Sequence, residues 1–220
     1  MVPTKPMGAR TLHDQPNVEQ GETLIGLLVG LSVGLVVLAA GSALLATHLR
    51  AHRSALQDSH LHADLRSAMD WMARELRKAQ YTASAWTTRS PESCADGFCD
   101  GPEDFRIDGD EIHFSHDRNH NGQQDSNECM GFRLTGTALH AKRSCSASGD
   151  WQALTDKANL TITALRWQVQ CDLNNGWLHR SVQMSMTAQW PGDASRPLSL
   201  SQTVHLRNDM PASLHAQLCP

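Results

Sequence analysis

The chain has 220 residues, a formal net charge of −4 and only 5% aromatic residues. That length suits a single domain carrying an appendage, not a multidomain assembly. Acidic residues outnumber basic ones, so the charge balance gives no electrostatic footprint for nucleic acid and no nucleic-acid partner is indicated.

Residues 1–21 are polar, are punctuated by Pro3, Pro6 and Pro16, and end in Gly21 directly against an apolar run. From Leu24 to Ala46 there is no charged residue. As a helix these residues reach roughly 34 Å, enough to cross the ~30 Å hydrocarbon layer of a bilayer. The apolar part of a cleaved secretory signal is shorter, about 7–15 residues, and ends at a small-residue cleavage site; here the run flows into more helix. Within it Gly26, Gly30 and Gly34 recur every four residues on one face. That spacing lets a second helix approach closely, or else reflects the ordinary glycine content of membrane helices. Lys5 and Arg10 before the span face Arg50 and Arg53 after it, so flanking charge does not set the orientation.

Beyond Arg50 the pattern becomes amphipathic. Leu61, Leu65, Ala68, Met69, Met72, Leu76 and Ala79 recur at steps of three and four, with Asp64, Arg66, Asp70, Arg74, Arg77 and Lys78 on the other faces. One helix is therefore expected to continue from the membrane into a water-soluble domain. His48 and His52 lie one turn apart, but no third metal ligand accompanies them.

The order leader, Gly21, Glu22-Thr23-Leu24-Ile25, long helix resembles the processing signal of type IV prepilins and of type II secretion pseudopilins. The resemblance implies that a prepilin peptidase cuts between Gly21 and Glu22 and methylates the new N-terminus, so the apolar segment stays on the mature chain. Glu22 and Gly26 stand where that family carries phenylalanine and glutamate. The missing carboxylate at Gly26 points to a minor, tip-located subunit, because the family's glutamate is taken to balance a neighbour's α-amine in hydrocarbon. The run Met69-Asp-Trp-Met-Ala-Arg-Glu-Leu-Arg-Lys-Ala-Gln-Tyr81 and the ending Thr203-Val-His-Leu-Arg-Asn208 resemble PilW-type minor prepilins in particular.

Six cysteines, Cys94, Cys99, Cys129, Cys145, Cys171 and Cys219, all follow the span. An even number on one side fits a disulfide-permitting compartment such as a bacterial periplasm. Six cysteines allow fifteen connectivities, of which Cys94–Cys99, Cys129–Cys145 and Cys171–Cys219 is one. Strands are predicted at Phe105–Ile107, Glu111–His116, Met130–Leu134, Ala138–Lys142, Leu160–Gln170, Leu178–Trp190 and Leu198–Leu206. The last three, separated by Asn174-Asn175-Gly176 and Pro191-Gly192-Asp193, read as an antiparallel meander. Helix followed by strands gives an α+β class, a long N-terminal helix on an antiparallel sheet.

One loop carries a chemical pattern. Counted from Asp117, the stretch to Glu128 places oxygen-bearing side chains at the first, third, fifth, ninth and twelfth positions and Gly122 at the sixth. That is the spacing of an EF-hand calcium loop, with Asp117, Asn119, Asn121, Asp125 and Glu128 as side-chain ligands and Gln123 offering its carbonyl. The alternative is a solvated turn rich in Asn and Asp. No His-Glu-x-x-His or phosphate-binding glycine loop is present, so no enzyme is expected.

The expected organisation is a leader at 1–21, a membrane-spanning half-helix at 22–49, an amphipathic half at 50–81 and a disulfide-containing β-rich domain at 82–220. The expected role is a minor pilin-like subunit that initiates or caps a type IV pilus, placed in the bacterial inner membrane with its domain in the periplasm. Its expected partners are the prepilin peptidase, other minor and major pilins, and an inner-membrane assembly platform. A type II secretion pseudopilin, or a membrane-anchored calcium-dependent binding module, is the alternative.

Overall fold

The computed structural model describes residues 23–146 and 151–219. Gly21 and Glu22, the expected processing site, lie outside the described residues. The chain divides into two compact units, residues 1–52 and 53–220. In the first, the described residues are helical from Leu24 onward, and none from Leu24 to Leu49 is buried. This is the one helix among the described residues long and apolar enough to cross a membrane.

Helix α1 spans Leu24–Leu76. Thr23 opens it, its hydroxyl accepting from the Gly26 amide at 3.4 Å, as a side-chain N-cap does. Its residues inside the second unit cover the predicted stripe: Leu61, Leu65, Met69, Met72 and Leu76 are buried, as is Ala79 beyond it, and Ala68 is partly buried. The helix stops at Leu76, short of the expected end at Tyr81. Tightened turn bonds follow (Lys78 to the Glu75 carbonyl, Ala79 to the Leu76 carbonyl), and Gln80 takes a left-handed φ of 57°. The side-chain amide of Asn208 donates to the Ala79 carbonyl at 2.9 Å, satisfying an acceptor that the finished helix leaves open.

After the short helix α2 (Ala85–Thr88) and the hairpin of β1 (Arg89–Ser90) and β2 (Ser93–Cys94), two antiparallel sheets form. The first orders β3 (Phe105–Asp108), β4 (Glu111–Ser115), β5 (Cys129–Thr135), β6 (Ala138–Lys142) and β7 (Gln152–Ala153) as a meander. In the second, β9 (Trp177–Trp190) pairs with β8 (Thr161–Asn174) along one edge. Its other edge takes β10 (Asp193–His205), with β11 (Met210–Pro211) against its first two residues. The expected meander of the last three long strands is therefore present. Asn175 and Gly176, at φ 51° and 82°, make the two-residue β8–β9 turn that requires positive φ at both positions. A bulge between Ile162 and Ala164 turns Leu165 and Trp167 inward beside Ile162, which is why the alternation in this stretch looks imperfect.

The buried stripe of α1 meets both sheets in one core. The Trp71 ring stands edge-on to Phe132 of β5 at 5.1 Å, and Phe132 in turn stacks on Trp167 of β8 at 6.4 Å. The architecture is α+β, a long N-terminal apolar helix packed through its second half on antiparallel sheets. A short C-terminal segment, ending in α3 (His215–Leu218), is closed onto β8 by the Cys171–Cys219 disulfide.

Candidate functional site

The loop from 116 to 128 joins β4 to β5, and the pair Ser115↔Cys129 sets its mouth. Its ends are fastened to the turn that finishes α1. The Gln80 amide donates to the Ser115 carbonyl at 2.6 Å and the Asp117 amide to the Tyr81 carbonyl at 2.7 Å, while the His116 amide closes the loop on itself at the Glu128 carbonyl, 3.0 Å away. The Cys129–Cys145 disulfide and the Cys145 amide, which donates to the Ser126 carbonyl at 2.9 Å, hold the exit.

Inside the loop the oxygen-bearing residues organise the backbone. Asp117, buried, accepts from the amides of Asn121, Gly122 and Ala83 at 3.1, 2.9 and 2.9 Å. Burial pushes its carboxyl up, but these amides outweigh that and leave it below the usual carboxylate range. The Asn119 and Asn121 side-chain oxygens each accept from the amide two residues on, Asn121 and Gln123. Asp125 draws in both of their side-chain amides at 2.7 and 3.1 Å. Glu128, also buried, takes the amides of Arg118 and Asn119 on one oxygen and that of Asp125 on the other. Gly122 has φ 74°, and a Cβ there would stand 3.1 Å from the Ser84 hydroxyl.

The carboxylates of Asp117, Asp125 and Glu128 thus face amides instead of one another. Among the described residues, the one set of three metal-type ligand atoms within 4.8 Å is Cys94, Asp96 and Cys99. Its two sulfurs are joined in a disulfide, which removes the thiolates a metal would need. Asp96 instead forms a buried ion pair with Arg89 at 2.7 Å and accepts from the Phe98 amide. Burial raises the Asp96 carboxyl, and the Arg89 pair and these hydrogen bonds more than reverse it. The six cysteines pair as Cys94–Cys99, Cys129–Cys145 and Cys171–Cys219.

A Cβ added at Gly30 or Gly34 would meet nothing within 4 Å, and one at Gly26 would meet only Thr23, so this face of α1 carries no contact within the described chain. Sequence reasoning missed a set of polar residues within the folded unit. His113 is buried between Glu103, 3.1 Å from Nδ1, and Glu111, which meets Nε2. Lys142, fully buried, reaches Glu103 at 2.7 Å under the Trp151 ring. Arg180 lies buried 4.8 Å above the Phe105 ring. A charged side chain in an alternating strand reads as outward-facing, so only the strand register reveals them.

A family model described as prepilin peptidase-dependent protein B (PpdB) matches residues 54–206. The matched stretch runs from the covered part of α1 to the end of the β8–β10 sheet and includes the loop just described. No curated protein and no solved structure matches the chain.

Proposed function

Because the chain belongs to the prepilin peptidase-dependent protein B family, we propose that it is a pilin-like structural subunit, cut after Gly21 by a prepilin peptidase. On this reading it is held in the bacterial inner membrane by the first half of α1, with its disulfide-bonded unit in the periplasm. It then joins other minor and major pilins, through an inner-membrane platform, to initiate or cap a type IV pilus. One observation carries the reading: a single helix presents uncovered leucine, valine and glycine over its first half and buries its second half under two sheets. Three disulfides support an extracytoplasmic site for the second unit. Gly26, Gly30 and Gly34 serve as the face on which a neighbouring subunit's helix packs.

Mass spectrometry of the membrane-extracted chain tests it. The wild type should begin at Glu22 and be N-methylated, and Gly21→Ala should remain full length because a side chain obstructs the peptidase. A Gly21→Ala chain trimmed normally at Glu22 overturns the reading. Co-purification with pilins and a pilus platform, as against secretion components, separates the type IV pilus from the pseudopilin alternative.

We also propose that Asp117, Asn119, Asn121, Gln123, Asp125 and Glu128 take calcium in a structural role. The spacing and the left-handed Gly122 support this. At free calcium ten times the dissociation constant, binding adds about 1.4 kcal/mol of stability. The melting temperature should rise in millimolar calcium, rise less with magnesium, and not respond in Glu128→Gln. Equal melting of the wild type in calcium and in chelator leaves the loop a polar turn.

A further inference from the structure

Five cationic side chains that are scattered in the sequence converge on one groove beside the end of α1. Arg74 comes from the helix, Arg77 and Lys78 from the turn after it, Arg118 from the β4–β5 loop and Arg207 from the segment after β10; the cavity volume is about 530 Å³. Lys78 is paired with Glu75 at 2.9 Å. The other four guanidinium groups have no ion-pair or hydrogen-bond partner among the described residues. Asp117, which also lines the groove, has both oxygens committed to backbone amides. His116 lines this groove and the smaller one beside it. It is 8% exposed, and its Nδ1 has no hydrogen-bond partner among the described residues.

Four guanidinium groups lining one groove and unpaired among the described residues, in a chain of net charge −4, make a local cationic surface that an anion can bridge. A carboxylate brings one charge and two acceptor oxygens. A phosphate monoester brings close to two charges and three oxygens, enough to engage several guanidinium forks together. The cavity has the size of a small-molecule site, not of an extended polymer track. We propose that this groove, with Arg74, Arg77, Arg118 and Arg207 as its cationic walls and His116 as its floor, binds a small phosphate-bearing anion.

Calorimetric titration of the full-length chain in non-ionic detergent tests the assignment, using inorganic pyrophosphate in calcium-free buffer at constant ionic strength. Saturable one-site binding is expected, weakened at least tenfold when Arg74→Gln and Arg207→Gln are combined. Arg166→Gln, on the exposed face of β8, should bind as the wild type does. Arg74 and Arg207 are exposed and unpaired, so the double variant should keep the wild-type melting temperature, which is measured alongside. Absence of saturable binding, undiminished binding by the double variant, or equal binding of acetate overturns the proposal. So does a single-stranded thymidine oligonucleotide that binds more tightly than pyrophosphate and is lost in the same double variant, since the groove is then a nucleic-acid surface.

Discussion

The two halves of α1 share a backbone and differ in what covers them. Leu31, Val33, Leu35 and Leu38 of the first half are each more than half exposed, whereas Leu65, Met72 and Leu76 of the second are at 0%. The first half is apolar all round, which suits a solvent of acyl chains. The second is apolar on one stripe, which suits a protein core with water outside it. Helix formation is therefore common to both, and side-chain periodicity alone decides which solvent each half requires.

A buried charge breaks this contrast most sharply. Leu65→Asp places a carboxylate in a core with no partner and should leave the second unit unfolded in circular dichroism at 37 °C. Leu35→Asp should leave that unit's melting unchanged and instead lower the membrane-inserted fraction, because a central Asp costs about 2.5–3.5 kcal/mol on insertion scales. Truncation gives a graded version. Leu65→Ala should cost about 2–5 kcal/mol in denaturant unfolding, and Leu35→Ala should cost the soluble unit nothing measurable.

The long helix, the α+β class and the seven main strands were all legible, because 3.6-residue and 2-residue periods reflect burial directly. The end of α1 was not. Arg77, Lys78 and Ala79 continue the helical pattern, and only the left-handed Gln80 and the cap from Asn208, more than a hundred residues later, stop it. The loop at 117–128 was visible as a spacing, but its attachment to Tyr81 and Ala83 was not, since those bonds use backbone groups that every residue owns. The cationic groove was invisible for a further reason. It draws single residues from separate segments, while the overall charge is negative.

A smaller effect tests how the covered half is terminated. Asp117 ties the loop to the segment just after α1, and its folded carboxyl lies below the usual range. Its contribution is present above the unfolded carboxylate value near 3.8 and is lost as pH falls through the lower folded one. Melting temperature should drop on acidification below about pH 4, and less steeply in Asp117→Asn. An identical acid slope in the two chains would exclude Asp117 as the group responsible. The smallest expected effect lies at the start of the covered half, where Arg196 reaches Asp58 at 3.0 Å and the Ser54 hydroxyl at 2.7 Å. Both partners of that ion pair are half exposed, so Asp58→Ala should cost only about 0.2–1 kcal/mol, vanishing in high salt.

The Cys171–Cys219 bridge also determines how the second unit responds to pulling. A tensile load applied at the C-terminal end does not peel α3, β11 and β10 away in turn, because it passes through the sulfurs directly into β8. The sequence separation of 48 residues between the two half-cystines withholds about 160 Å of contour length from extension. Load passes instead along the backbone of β8, while β9, β10 and β11, all inside the closed loop, stay off its path.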